Sequence, residues 1–339
     1  MFKESHSLFN RRPPGRRISR LRLLLHYGDR PWNILTVSMA ILTILLVLAI
    51  GILLWRDSAG SRAASGLNFL KPTTDASWNP VSGEFQAWPF IYGTLVTSLF
   101  SLVLAVPISL GVAIFLAELC PDWLRAPLGG VFELLAAIPS VIYGLWGIFV
   151  FLPNLVEPAG KFLGATLGAV PGFNVIFRGP IPASGASLLA AAFILSIMIT
   201  PTITAITRDV FLAIPVSQRE ASLALGSTRW ETIWKVLIPY GLSGILGAVI
   251  LGLGRALGET MAVTMVVGNS IGGSLSLLKP GYTMSSIIAN EFAEAVSPLH
   301  TQALLEVGLI LFIITLLLNI LARLLVWRVG KGNVQGARA

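Results

Sequence analysis

The sequence predicts an all-α polytopic membrane protein with six transmembrane helices. Three observations carry that class. Of 339 residues, 55% are hydrophobic and only 12% are charged, whereas a soluble domain carries roughly 25% charged residues. Six apolar runs reach about the 20 residues that cross a bilayer as a helix. Lys and Arg are unevenly spread between the connecting segments, as topology demands of a membrane chain. The net charge of +8 therefore speaks to orientation and not to nucleic acid. A single cysteine, Cys120, allows no intrachain disulfide and belongs to no ligand cluster.

Residues 1–33 form a basic tail with eight Lys and Arg residues, and Pro13, Pro14 and Gly15 oppose a continuous helix there. Residues 34–55 are the first span. A cleaved signal would have a shorter apolar core of about 7–15 residues, so this run is read as retained. Residues 56–89 form a mixed loop whose Trp78 and Trp88 suit a membrane–water interface. The second span covers 90–117, with Pro107 removing a helix hydrogen bond. A short loop, 118–130, leads to the third span at 131–152. Glu133 lies at its start, and Pro139 breaks it. Residues 153–185, rich in Gly and Pro, read as an external loop. The fourth span covers 186–207, broken by Pro201, and the fifth covers 241–267. Residues 268–302 form a loop, and 303–327 the sixth span, with Glu306 at its watery edge. The domain plan is thus a tail (1–33), a membrane domain (34–327) containing a polar segment (208–240), and a tail (328–339).

With both termini in the cytoplasm, 17 of the 24 Lys and Arg residues fall in inner segments and six in outer loops. The basic-inside preference selects this orientation and puts 208–240 in the cytoplasm. In that segment Glu220, Ala221 and Ser222 precede Gly226, and Pro215 and Pro239 bracket two short helices. Small residues let another backbone approach, and Gly226 supplies a turn that a Cβ would resist. The segment is either a knob for a partner protein or an ordinary connector.

The fifth span holds Arg255 and Glu259, four residues apart and so on one helical face. Thr260 and Thr264 lie beside them, and Gly247, Gly254 and Gly258 allow close helix packing. Intramembrane charge costs about 2.5–3.5 kcal/mol per residue on insertion scales, so it asks for a function. One reading is an anion pathway, with Arg255 presenting a fork of donors and Glu259 holding it. The other is a buried ion pair that clips helices together. His6, His26 and His300 form no metal cluster, and the GLGRALG stretch follows no strand, so it is no dinucleotide fingerprint.

The pattern Glu220-Ala221-Ser222, three residues, Gly226, nine residues, then Val236-Leu237-Ile238-Pro239 resembles the EAA loop of ABC-importer permeases. FIYGTLVTS, GVAIFLAEL, LAAIPSVIYGLWGIFVFLP and GRALGETMAVTMVVGN extend the likeness over roughly 85–327, to the permease subunits of phosphate-specific importers. The resemblance implies the type I permease fold in a bacterial inner membrane. It implies that Glu220, Ala221, Ser222 and Gly226 couple to the motor, and that Arg255, Glu259 and Thr260 line the phosphate pathway. It implies as partners a second permease subunit (PstA-like), two ATPase subunits, an external phosphate-binding protein and membrane lipid, but no nucleic acid. No G-x4-G-K-[ST] loop occurs here, so ATP and Mg would be held by the partner ATPase, with no cofactor in this chain and no enzyme activity of its own. A permease for sulfate or molybdate, a passive anion channel and a membrane enzyme are the competing readings.

Overall fold

A computed structural model describes residues 20–336 except 74–76 and 273. The sequence reading of residues 1–19 as a basic arm lies outside the described residues. Helix α1 (Arg20–Asp57) is one uninterrupted element, so 20–33 are helical where an irregular tail was expected. Its membrane-crossing part is Trp32–Asp57. Up to Leu53 it stands as a unit of its own, and all that follows concerns the unit from Leu54 onward.

Between 58 and 87 the described residues hold more regular structure than a loop. A short helix α2 (Ala59–Ser65) precedes a two-stranded hairpin, β1 (Trp78–Asn79) with β2 (Glu84–Phe85). Asn79 shapes the turn by accepting from the backbone N–H groups of Val81 and Ser82. Trp78 is 5% exposed, packed edge-on against Phe85 and Phe90. It belongs to a core and not to an interfacial belt.

Helix α3 (Trp88–Ile114) runs straight on into a π-wound turn at Phe115–Leu119. Helix α4 (Asp122–Ala137) then occupies most of the segment that reads as a loop, together with the first third of the predicted third span. The chain breaks at Ile138 and Pro139, because the residue before a proline is driven out of the helical region. Helix α5 (Ser140–Trp146) starts the true third span, which continues through a π-wound stretch and α6 (Glu157–Thr166) as far as Ala169. The predicted span at 131–152 is therefore displaced toward the C-terminus. Hydropathy could not see this, since the last residues of α4, VFELLAA, run directly into the apolar stretch that follows Pro139.

Helix α7 (Leu188–Leu212) is the centre of the bundle. Leu189, Ala190, Ala191, Ala192, Ile194 and Leu195 are all fully buried. Small side chains bring α3 and the fifth span close on either side, the packing that holds helices together in lipid. Pro201 lies within α7 without ending it. Helices α8 (Val216–Ala224) and α9 (Arg229–Thr232) follow, and α9 passes through a π-wound turn into α10 (Ile238–Gly258). Pro239 thus lies just past the π-wound turn, inside a run that is helical from Arg229 to Gly258, and does not bracket the α8–α9 unit.

The fifth span stops at Gly258. Glu259 is extended, and α11 (Met261–Val266) begins after it. The loop beyond contains α12 (Met284–Glu291), and α13 (Pro298–Gly336) carries the sixth span, Pro298–Arg328. Glu306 is only 6% exposed on α13, not at a watery edge. His300 is likewise buried, with Nε2 3.0 Å from Glu291 Oε2, which also accepts from Trp78 Nε1 at 2.7 Å.

Candidate functional sites

The α8–α9 unit is built by local rules. Ser227 N donates to Ser222 O and Gly226 N to Leu223 O, a helix stop that puts Gly226 in the left-handed region at φ 86°. Thr228 then starts α9 with a reciprocal cap: its Oγ1 accepts from Glu231 N at 3.2 Å, and its own N–H donates to the Glu231 carboxylate at 3.0 Å. Ser222 is buried, and its hydroxyl meets that of Thr232 at 3.0 Å. It therefore stitches α8 to α9 and is not a surface for another backbone. Glu220 and Ala221 do face outward, and Leu225 is 88% exposed at the tip beside Gly226.

The unit is bolted to the bundle by a residue that the sequence reading passed over. Arg219 pairs with Glu118 at 2.8 Å, and also donates to the carbonyls of Ile214 and Phe211 at 2.8 and 2.6 Å. One guanidinium thus joins α8, the C-terminal end of α7 and the π-wound end of α3. Arg208 makes a second bolt. It pairs with Glu133 of α4 at 2.9 Å and with Asp209 at 2.8 Å, and Glu133 lies inside α4, not at the start of a span. A long-range Arg–Glu pair has no spacing rule, which is why neither was legible beforehand.

Arg255 is in the last turn of α10, half-buried, and does not pair with Glu259. Its Nη1 donates to Thr202 Oγ1 at 2.9 Å, and both terminal nitrogens reach the carbonyl of Ala136 at 3.4 and 3.5 Å. That carbonyl is at the C-terminus of α4, where unpaired carbonyls and the helix dipole favour a cation. Glu259 instead turns its Oε1 to Ala262 N at 3.1 Å, capping α11. Its own carbonyl, released by the break, accepts from Ser285 Oγ at 2.7 Å. The predicted Arg255–Glu259 face fails because the helix that would create it ends between them. Thr260 is spent locally, its hydroxyl donating to Gly258 O at 3.2 Å.

Arg255 borders a cavity of about 1230 Å³ between α7, α10 and α13. Thr202, Gly247, Gly254, Asn319 and Arg323 also line it. The glycines divide into two kinds. A Cβ on Gly252 would sit 2.7 Å from Ile203, and one on Gly244 would meet Val210 at 2.5 Å. These two bring α10 against α7. Gly247, Gly254 and Gly258, expected to serve close packing, have open space where a Cβ would go.

Six helices long and apolar enough to span a membrane, with an arginine-edged cavity between α7, α10 and α13 and a helix–turn–helix knob after α7, define a membrane permease. The chain belongs to the family described as binding-protein-dependent transport system inner membrane component, which matches residues 109–331. It is a multi-pass inner-membrane protein. It is 47% identical to the phosphate transport system permease protein PstC of Pasteurella multocida, over 91% of this chain and 95% of that one. The PstC proteins of Mesorhizobium japonicum (46%, covering 89% and 90%) and Xylella fastidiosa (44%, covering 88% and 90%) are similar to it as well. A bacterial ABC transporter that imports the polysaccharide alginate shares the fold, with a TM-score of 0.56 at 15% identity over 89% of this chain and 98% of that one.

Proposed function

We propose that this chain is one permease subunit of an ATP-driven importer that moves inorganic phosphate into the cytoplasm. The observation that carries the substrate is the 44–47% identity, over about nine tenths of both chains, to proteins named for phosphate transport. The geometry supports an anion pathway at the cavity beside α10, with Arg255 at its edge. In this conformation Arg255 is held by a hydroxyl and a carbonyl, both neutral acceptors, so its charge remains available to an oxyanion. Glu259 then serves the pathway by fixing the bend that presents Arg255, and Thr260 forms part of that bend.

A second permease subunit, PstA-like, would close the open side of the cavity where Gly247 and Gly254 leave room for a neighbouring helix. Two ATPase subunits, holding ATP and Mg, would dock on the knob formed by Glu220, Ala221 and the Gly226 turn, with Ser222 as its internal stitch. An external phosphate-binding protein would load the complex from the outer side, and both termini would face the cytoplasm.

The test is uptake by the assembled transporter carrying Arg255→Ala. Losing one or more charge-assisted hydrogen bonds, each worth about 1.5–3 kcal/mol, lowers phosphate import by at least about tenfold while the subunits still co-purify. Near-normal import would reduce Arg255 to a structural role. Restoration of sulfate but not phosphate uptake by the unaltered chain would reject the substrate. Phosphate flux through the purified chain alone would reject the importer in favour of a channel.

A further inference from the structure

A second cationic pocket lies away from Arg255, at the end of the bundle where α11 leads into the loop before α12. It has a volume of about 690 Å³ and is lined by Arg178, Lys279, Ser270, Ser274, Ser276 and neighbouring Gly and Pro residues. Its two cations come from loops a hundred positions apart in sequence. The loops are stapled: Leu277 N donates to the Ile176 carbonyl at 2.7 Å, and Ser276 Oγ donates to the same carbonyl at 3.2 Å. Leu188 N, at the start of α7, fixes the Lys279 carbonyl at 3.1 Å. The Lys279 side chain lies against Gly179, where a Cβ would sit 3.4 Å from its Cε. The pocket is therefore framed by backbone bonds and does not depend on a chance meeting of two long side chains.

Its chemistry is one-sided. No carboxylate lines it. Among the described residues Arg178 and Lys279 have no ion-pair partner, whereas Lys161 of α6 is neutralised by Glu157 at 2.7 Å. Ser276 is occupied, donating to Ile176 O and accepting from Leu278 N. Ser274 uses its oxygen to accept from Ser276 N, which leaves its own proton free. A guanidinium, an ammonium and the Ser270 and Ser274 hydroxyls are all donors without committed acceptors.

Outer loops of a membrane protein are poor in Lys and Arg, and this chain's outer loops hold six in all. That two of those six converge unpaired on one concave site is a use of charge that topology disfavours. Unopposed positive charge in a recess raises the local concentration of anions. The recess has room for a small anion together with part of its water, and hydroxyl donors suit tetrahedral oxygens. From Ser270 the chain leads back through α11, about 9 Å of helix at 1.5 Å per residue, to Glu259 and the bend that carries Arg255.

We infer that Arg178, Lys279, Ser270 and Ser274 form an oxyanion-holding site at the outer mouth, which receives phosphate before it reaches Arg255. This rests on the reading of the chain as a phosphate permease with cytoplasmic termini. The site is distinct from the cavity at α10. Its exposed, hydrated cations make it a weak, passing site, as a relay must be.

The experiment uses the assembled transporter with its ATPase subunits and external binding protein. Phenylglyoxal labelling of Arg178 is followed by peptide mass spectrometry in inorganic phosphate and in chloride of equal ionic strength. Phosphate slows labelling of the unaltered chain, and Lys279→Gln removes most of that protection. In parallel, Arg178→Gln/Lys279→Gln lowers phosphate uptake by about tenfold, the equivalent of one hydrogen bond to a charged group. The same double variant still co-sediments with the phosphate-loaded binding protein. Equal labelling in both salts overturns the site. Loss of co-sedimentation together with uptake also overturns it, and makes the pocket a docking surface for the binding protein. If the unaltered transporter imports sulfate and not phosphate, the substrate reading fails, and protection of Arg178 by sulfate still decides whether the pocket holds an oxyanion.

Discussion

Gly226 gives the sharpest test of the knob, because strain and crowding separate there. Its φ is 86°, and a Cβ built on it would have no atom within 4 Å. Any cost of substitution is therefore conformational and not steric. A non-glycine residue in the left-handed region costs about 1–2 kcal/mol, asparagine less, and a β-branched residue more, toward about 3 kcal/mol. The free loop can relax that strain by abandoning the stop formed by Ser227 N on Ser222 O and Gly226 N on Leu223 O. Docking that requires the native turn must restore it, so the strain appears in the docking affinity as an upper bound. At 1.4 kcal/mol per factor of ten, Gly226→Asn weakens ATPase docking by a few-fold at most, Gly226→Ala by about fivefold to twenty-five-fold, and Gly226→Val by up to about a hundredfold. The measurement is the Kd of the ATPase subunit for purified permease in detergent, with uptake by the reconstituted transporter alongside. The order Gly, Asn, Ala, Val is the signature. Asparagine binding more weakly than valine, or all three matching glycine, would refute the argument that this turn presents the docking surface.

Two further predictions concern how the bundle is held. Glu118→Gln removes the charge opposite Arg219 but leaves an acceptor and the two carbonyl contacts, so the subunit folds with a loss toward the lower end of about 1.5–3 kcal/mol. Phosphate uptake should fall more than ATP hydrolysis does, since the link from α8 to α3 is loosened; equal losses in the two assays would remove Arg219 from coupling. Gly252→Ala forces a methyl against Ile203 and costs about 1–3 kcal/mol of stability, read as a lower Tm in detergent. Gly247→Ala meets nothing and leaves Tm unchanged, so equal shifts for the pair would contradict the packing described.

Much of the fold was legible because lipid imposes simple rules. Long apolar runs had to be helices, and six such helices are present. The knob was legible for a different reason. Its turn depends on one glycine and a stop signal confined to six consecutive residues, so spacing alone carried it. The third span was misplaced because only the end of α4 is apolar, and it runs without a polar gap into the apolar stretch after Pro139. Only Ile138 and Pro139 marked its end, and they were taken as a break within one helix. Trp78 and Glu306 read as edge residues from their chemistry, but tertiary packing buries both.

The candidate pathway shows the same division most clearly. The sequence by itself determined that an arginine and a glutamate lie in an apolar run, and that their charge is too costly to be idle. It could not determine that they part company. Arg255 and Glu259 share a face only if the helix continues, and whether it continues is decided by Ser285 taking the carbonyl of Glu259 and by Glu259 capping α11. Arg255 then finds Thr202 and the open end of α4, residues 53 and 119 positions away. Spacing reports what is near along the chain. Partners for a charge that has lost its neighbour are set by which helix ends the packing brings within reach.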